Sequence, residues 1–326
     1  MRTVVFAAAA GLCLASVVLA QDAPKSAPSS AEQAPAQPAK VELTPLAHVE
    51  TSGSGPTHMI LIPGLSCDWT VWKTFMERNA KLYTMHAVTL PGFGGSQPPP
   101  RAEGTELWRD LWLTNAEKAI VAYADQQKLG KPLVMGHSLG SHLAIRLALH
   151  QPGRFSGCIG VDGFPAFPLG GAAVVPMESR RSMVENGLKQ WVEQTFGDRS
   201  HEKVAAMVRT WVSDPARADA IAVMSENVPA STVEGYVLEL MAGDLVEQLK
   251  QNKTPLLLLA ASPPRTDGEQ PAAEQSREMA RTIWRTQVDG AANTTLEFVA
   301  DSKHFVMDDQ PKALDEDVQK FVAGLK

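Results

Sequence analysis

From residue 41 onward, short apolar runs alternate along the chain with longer amphipathic stretches. Apolar runs bounded by Pro, Gly or polar residues are typical of buried strands, and amphipathic stretches of a dozen residues or more are typical of helices. The pattern predicts an edge strand over 41–50, further strands over 58–62, 82–90, 132–135, 158–161, 255–261 and 295–299, and helices over 68–80, 107–128, 139–150 and 311–325.

This alternation predicts a doubly wound α/β fold, in which a mostly parallel sheet carries helices on both faces. Residues 163–250 interrupt the alternation with several helical stretches. Because ligands of open parallel sheets bind beyond the carboxyl ends of the strands, a helical insertion at this point would cover the ligand site. We therefore predict one domain over 41–326 with an inserted helical cap at about 163–250.

The first 40 residues differ in composition from the rest. An Arg at position 2 precedes an uncharged run of apolar and small residues over 4–19. This run is short for a membrane span, which needs about 20 apolar residues, and small residues before Gln21 suit signal cleavage. We predict a signal peptide over 1–20, export to the periplasm or the medium, and no stable membrane insertion after cleavage. Residues 21–40 are rich in Ala, Pro, Gln and Ser, which predicts a disordered linker.

The charge and cysteine content restrict the partners. The formal net charge is −6 and no basic cluster is present, which argues against a nucleic-acid partner. After the predicted cleavage site only Cys67 and Cys158 remain, and we expect two free, buried thiols. No CxxC, HExxH or His/Cys cluster predicts a metal site, and no motif predicts a cofactor. The expected partner is a small molecule.

The strongest chemical signal is GHSLG at 136–140, which follows a predicted strand and opens a predicted helix. A G-x-S-x-G elbow needs this context, because its glycines relieve a sharp turn that presents the Ser hydroxyl above the sheet. A Gly/Ser turn without a catalytic role could occur in any α/β protein. Such a turn would not need a strand directly before it and a helix directly after it. We predict that Ser138 is a nucleophile, which would form an acyl-enzyme that water then hydrolyses.

A serine nucleophile needs a general base and donors for the developing oxyanion. His304 is the candidate base, because it follows the last predicted strand and precedes the closing helix. The Leu139 N–H directly follows the nucleophile and is the first candidate donor. The second donor is expected in the loop after an earlier strand, where Gly64 would let the backbone approach and Leu65 would supply its N–H.

Two residues compete for the role of the acid that orients the base. Asp162 directly ends the predicted strand 158–161, so its carboxylate would leave the sheet at the edge where the elbow emerges. Asp267 follows the strand 255–261 only after the segment 262–266. An Asp at a strand end can also simply cap the next turn. The residues favour Asp162 and leave Asp267 as the alternative.

Together these segments resemble the α/β-hydrolase superfamily of capped serine hydrolases over about 57–325, apart from the cap. The resemblance rests on IPGLSCDW, LPGFGGS, GHSLGSHLAIRLALHQPGRF, VDGFP and DSKHFVMDDQP. Pro63 stands where the family usually has His before the oxyanion residue, and the usual Gly-x-x-Asp is absent from LLLLAASPPRTDG. The resemblance implies hydrolysis without a cofactor, and some members of the superfamily place the acid where Asp162 stands.

The leading hypothesis is a carboxylesterase-like serine hydrolase that acts on a small, apolar carboxylic ester. An aminopeptidase or amidase of the same fold is the alternative, and it would need cap carboxylates to hold a substrate ammonium. The available carboxylates are Glu185, Glu193, Glu226 and Glu234. A third hypothesis is a binding protein that keeps the hydrolase shell without activity, against which the intact Ser, His and candidate acid argue.

Overall fold

The computed structural model describes residues 43–101, 111–169, 173–264 and 271–325, so the predicted signal peptide, the linker and Asp267 lie outside the described residues. The strands are β1 (His48–Ser52), β2 (Thr57–Ile62), β3 (Tyr83–Thr89), β4 (Leu133–His137), β5 (Gly157–Val161), β6 (Leu256–Ser262) and β7 (Thr294–Ala300). The helices are α1 (Lys73–Asn79), α2 (Trp112–Gln126), α3 (Leu139–His150), α4 (Met177–Met183), α5 (Lys189–Phe196), α6 (His201–Arg209), α7 (Pro215–Glu226), α8 (Ala230–Ala242), α9 (Val246–Leu249), α10 (Pro271–Gln287), α11 (Val306–Asp309) and α12 (Pro311–Gly324).

The described strands form one seven-stranded sheet in the order β1-β3-β2-β4-β5-β6-β7. Only β1 pairs in the antiparallel sense, with β3, and the other neighbouring pairs are parallel. The predicted doubly wound, mostly parallel fold is therefore confirmed. The edge strand begins later than the predicted 41–50, because Pro45 has no N–H to donate to a ladder and pairing starts only near Ala47, whose N–H donates to Thr89 O.

Helices cover both faces of the sheet, and the side chains of each central strand alternate between the two layers. In β2, Ile60 and Ile62 pack into the layer that contains α2 and α3, whereas Met59 and Leu61 pack into the layer that contains α1 and α12. All four side chains are fully buried. This burial on both faces explains why the central strands are continuous apolar runs in the sequence rather than alternating patterns.

Between β5 and β6 the chain forms α4 to α9, in the region where the helical insertion was predicted. A π-helical turn, Val184–Leu188, joins α4 to α5. The insertion is anchored to the sheet domain on two sides. Tyr236 on α8 donates its hydroxyl to Pro91 O at 2.8 Å, and Arg217 on α7 donates to the Asp308 carboxylate at 2.9 Å. These contacts hold the cap across the carboxyl ends of the strands.

Cys67 and Cys158 are buried and not bridged to each other. Burial is the main cause that raises the pKa of the Cys67 thiol to about 12, and burial likewise raises that of Cys158. Both side chains are therefore neutral packing groups. No helix in the described ranges is both long and apolar enough to cross a bilayer.

Candidate active site

Ser138 lies in a strained turn between β4 and α3, with φ 56° and ψ −114°. A positive φ is uncommon for a residue with a Cβ and is retained where the surrounding structure enforces it. The glycines of GHSLG make the turn possible. A Cβ on Gly136 would come within 1.9 Å of Gly140 O, and a Cβ on Gly140 within 2.4 Å of Ile62 O. The local geometry is that of the elbow that the motif predicts.

The structure places Asp162 against His304. Asp162 directly follows β5 with φ 46°, and its Oδ2 lies 2.6 Å from His304 Nδ1. Its second oxygen, Oδ1, accepts the Ala261 N–H of β6 at 2.9 Å. Both residues are at least 95% buried. With both oxygens occupied, the carboxylate is held in place, and an Nδ1–H that donates to it leaves His304 Nε2 free to accept a proton.

His137, the residue before Ser138, packs against the loop that carries His304. It is fully buried, its ring centroid lies 4.6 Å from that of His304, and its Nε2 lies 3.0 Å from His304 O. Since a carbonyl can only accept, Nε2 carries the proton. Burial lowers the pKa of His137 well below its ordinary value, with a smaller contribution from the nearby His304. His137 is therefore a neutral donor that positions the loop. Sequence reasoning missed this role, because the two residues are 167 positions apart.

Of the two predicted oxyanion donors, one lies in the elbow and the other in the turn after β2. Leu139 is the first residue of α3, and Leu65 lies in the turn after β2, which the Cys67 N–H closes by donating to Gly64 O at 3.2 Å. Neither amide donates a backbone hydrogen bond within the part of the chain that the structure describes. Both residues line the same cavity as Ser138. Two unused N–H groups beside a nucleophile can stabilise a developing negative charge.

Two small cavities meet at Ser138, and His304 and Leu65 line both of them. The first has a volume of about 50 Å³ and lies under the cap. We call its two sides the sheet wall, formed by Ser138, Leu139, His142, Asp162 and His304, and the cap wall, formed by Phe167, Phe196, Val237, Leu240 and Met241. The second has a volume of about 40 Å³ and extends past His304 between Cys67, Trp211 and Phe305. Both compartments are therefore in contact with Ser138 and His304.

His142 on α3 also lines the first cavity, and sequence reasoning assigned it no role. Its position near the start of the helix that follows the elbow could have drawn attention. Its Nδ1 lies 3.2 Å from Phe164 O, and its Nε2 is buried without a hydrogen-bond partner. Burial, and next the charge of Arg146, lower the pKa of His142 to about 3, so the ring is neutral.

The cap glutamates do not converge on Ser138. Glu193 and Glu234 lie 4.0 Å and 3.8 Å from Lys189 Nζ, and Glu226 lies 2.6 Å from His201 Nδ1. Glu185 is exposed on the π-helical turn. Within the described ranges none of the four lines either cavity beside Ser138. The ammonium site that an aminopeptidase would need is therefore not formed by these residues. Across the same ranges, no three His, Cys, Asp or Glu side chains converge to hold a metal ion.

The sequence of this chain is similar to those of known hydrolases. The model of the alpha/beta hydrolase family matches residues 59–316. The pimeloyl-[acyl-carrier protein] methyl ester esterase of Proteus mirabilis is 30% identical over 215 residues, which cover 64% of this chain and 76% of that protein. The Citrobacter koseri esterase of the same name is 28% identical over 215 residues, with 64% and 77% covered.

Solved structures agree on the fold. A hydrolase from Pseudomonas aeruginosa PA01 superposes with a TM-score of 0.61 at 16% identity, covering 84% of this chain and 93% of that one. A thermophilic esterase from Thermogutta terrifontis gives 0.59 at 18% identity, with 85% and 93% covered. The family model spans most of the sheet domain and the insertion, and the architecture matches that of solved hydrolases. The chain belongs to the alpha/beta hydrolase family.

Proposed function

We propose that this protein is a serine hydrolase that cleaves a small, largely apolar carboxylic ester through an acyl-enzyme on Ser138. The observation that carries the proposal is the buried contact of 2.6 Å between Asp162 Oδ2 and His304 Nδ1, next to a strained Ser138 in a shared cavity. A carboxylate that orients an imidazole beside a serine is the arrangement that activates a hydroxyl for acyl transfer.

Each residue has a defined task in the proposed reaction. His304 Nε2 takes the Ser138 proton as Oγ attacks the ester carbonyl, and the Leu65 and Leu139 N–H groups stabilise the resulting oxyanion. Collapse of this intermediate breaks the bond to the alcohol, which leaves with the proton from His304. Water then gives its proton to His304 and attacks the acyl-enzyme, and Ser138 leaves with that proton as the acid is released. The Asp162 carboxylate stabilises the imidazolium in both halves of the reaction.

The cavities support a small substrate. The compartment under the cap has a volume of about 50 Å³, whereas typical ligand pockets hold about 300–1,000 Å³. Its cap wall is entirely apolar, which suits a short acyl chain. The second compartment extends past His304, which must protonate the leaving alcohol, and we assign the alcohol to that side. The Proteus mirabilis relative is named as a methyl ester esterase, which supports an ester with a small alcohol.

The proposal is tested by labelling and by turnover. Wild-type protein should react with a fluorophosphonate probe, and Ser138→Ala should not. Methyl esters of two- to six-carbon acids, followed by acid release at constant pH, should be cleaved faster than aminoacyl p-nitroanilides. If the wild-type protein fails to label and cleaves no ester, the non-catalytic binding protein becomes the better hypothesis. Anilide cleavage without ester cleavage would favour the amidase.

We also propose that the protein is exported, on the basis of the charge and apolar pattern of residues 1–20. The mature chain would then begin at Gln21. N-terminal sequencing of the protein from periplasmic and cytosolic fractions tests this directly. Recovery of the chain with Met1 intact from the cytosol alone would contradict export.

A further inference from the structure

A buried histidine one helical turn beyond the nucleophile has no task in the proposed reaction. His142 donates its backbone N–H to Ser138 O at 3.1 Å, so the two residues stack along the start of α3. Ser138 precedes the first helical residue and has a non-helical backbone, so its side chain is not placed by the helix. The cavity under the cap shows the proximity of the two residues, because His142 and Ser138 both line it.

The tautomer of His142 follows from its contacts. Nδ1 lies 3.2 Å from Phe164 O, and a carbonyl oxygen can only accept, so Nδ1 carries the ring proton. Nε2 then presents a lone pair. The ring is 1% exposed, and burial together with the positive charges of Arg146 and Arg180 opposes a second proton by lowering the pKa of the ring. His142 is therefore a neutral acceptor with a defined orientation.

This acceptor has no donor. Nε2 is buried without a hydrogen-bond partner among the described residues, and the cap wall that faces the sheet wall offers only apolar side chains. A buried acceptor without a partner loses its hydration and gains nothing in return, so such groups in native proteins call for an explanation. A hydrogen-bond donor that arrives with the substrate would supply the missing partner.

The surrounding charges restrict that donor. A substrate ammonium would meet the fields of Arg146 and Arg180, which already disfavour positive charge at this ring. A substrate carboxylate would bring a second lone pair against Nε2. An uncharged hydroxyl is free of both penalties, and it can fit beside the apolar side chains of the cap wall.

We propose that His142 is a specificity-determining residue whose Nε2 accepts a hydrogen bond from a hydroxyl group on the acyl chain of the substrate. Because Ser138 and His142 line one small cavity, we expect this hydroxyl on a carbon close to the ester carbonyl, and the third carbon is the position tested. The inference rests on the proposed function, because it uses the acyl-enzyme at Ser138 as its origin. It adds that the preferred substrate is a short hydroxyacyl ester rather than a plain acyl ester.

Two esters of matched shape test the proposal. Methyl 3-hydroxybutanoate and methyl 3-methylbutanoate differ only by a hydroxyl in place of a methyl group. Wild-type protein should favour the hydroxy ester in kcat/KM by about tenfold or more, since a site with a buried polar group rejects an analogue that leaves the group unpaired. His142→Phe should lose or reverse this preference, mainly through KM for the hydroxy ester. His142→Gln, which keeps an acceptor, should retain part of it.

An equal loss of activity toward both esters in His142→Phe would overturn the proposal, because it would show that the ring only supports Phe164 and the fold. No preference in the wild-type protein would overturn it as well. Calorimetric binding of the two esters to Ser138→Ala protein separates this inference from the proposed function. Tighter binding of the hydroxy ester, abolished by adding His142→Phe, would support the role of His142 even if no turnover were found. Equal binding of both esters would reject it.

Discussion

The two walls of the cavity beside Ser138 are built in different ways. The sheet wall consists of residues at strand ends and at the start of α3, and two of them, Ser138 and Asp162, have a positive φ. Hydrogen bonds from neighbouring strands and loops hold its polar groups. The cap wall consists of apolar side chains from helices and loops of the insertion. The residues proposed for the chemistry lie in the sheet wall, which also holds the polar His142, whereas the cap wall offers only apolar contacts to an acyl group.

Ser138→Ala should have the largest effect in this comparison. Loss of the nucleophile should reduce kcat by about 10³–10⁶, as it does for other triad nucleophiles. The substitution removes one half-buried hydroxyl and little packing, so circular dichroism and the melting temperature should stay close to wild type. Wild-type turnover in a pure Ser138→Ala preparation would show that Ser138 is not the nucleophile.

The next largest effect is expected at the acid. Asp162→Asn should reduce kcat by about 10⁴, because the amide oxygen would stay with the Ala261 N–H and the NH₂ group would donate to Nδ1, which leaves His304 in the wrong tautomer. Asp267→Asn is the matched control. It should reduce kcat by less than about tenfold, because Asp162 already supplies the acid that the proposed triad needs. Both variants are measured under one set of conditions with the same methyl ester. A large loss in Asp267→Asn with little loss in Asp162→Asn would restore the alternative acid.

His137 should show an intermediate effect, because it acts on the sheet wall only through His304. His137→Phe removes the donor to His304 O and should lower kcat by about ten- to a hundredfold, which is the cost of misplacing a catalytic group by roughly 1 Å. KM should change less than kcat, since His137 does not line the cavity under the cap and is one of several residues that line the second cavity. His137→Gln, which can still donate, should recover part of the loss. The control is His201→Phe on the cap, where activity should stay within about twofold because surface pairs contribute little.

The cap wall should change selectivity more than rate. Val237→Ala enlarges the cavity under the cap and should shift the preference toward acyl chains one or two carbons longer by about 3- to 10-fold, in line with the modest value of a methylene in an apolar pocket. Val223→Ala, at a position on α7 that is 50% exposed, is the control and should leave the chain-length profile unchanged. If the chain-length profile shifts equally in both variants, the cap wall does not determine which acyl chain is preferred.

The smallest effect is expected for the charged residues of the cap. Glu226→Gln removes the carboxylate that pairs with His201, and Glu234→Gln removes the one that pairs with Lys189. Neither glutamate lines a cavity beside Ser138. Ester turnover should therefore stay within about twofold, because both ion pairs are also partly exposed. Activity toward aminoacyl p-nitroanilides is measured in parallel. A selective loss of anilide cleavage in either variant would revive the aminopeptidase hypothesis.

Sequence reasoning reached the elements that local pattern controls. The central strands were predicted to within about two residues, because burial on both faces makes them continuous apolar runs with Gly, Pro or polar residues at their ends. The edge strand was misplaced, since half-exposed β1 carries a weaker pattern. Of the predicted 107–128 helix, the described part is Trp112–Gln126. The boundaries of the signal peptide and the linker stay predictions.

In the candidate site, too, local features could be predicted from the sequence, whereas contacts between distant residues could not. The motif at 136–140 indicates its own turn, because only glycine tolerates the backbone contacts on either side of Ser138. The sequence could not bring Asp162 to His304, since their contact spans 142 positions and depends on the order of β5, β6 and β7. The structure supplies this contact, whereas the catalytic roles of these residues stay predictions.

By itself, the sequence determined the α/β alternation, the mostly parallel sheet, the helical insertion and the strained elbow at Ser138, because each depends on residues close together along the chain. Only the tertiary structure decided that Asp162 contacts His304, that His137 contacts the His304 loop, and that His142 has an unpaired nitrogen and lines the cavity beside Ser138. These contacts join residues that are distant in sequence, or depend on which nitrogen of a buried ring already has a partner. Packing and hydrogen bonding in three dimensions decide both, and neither leaves a periodic signal along the chain.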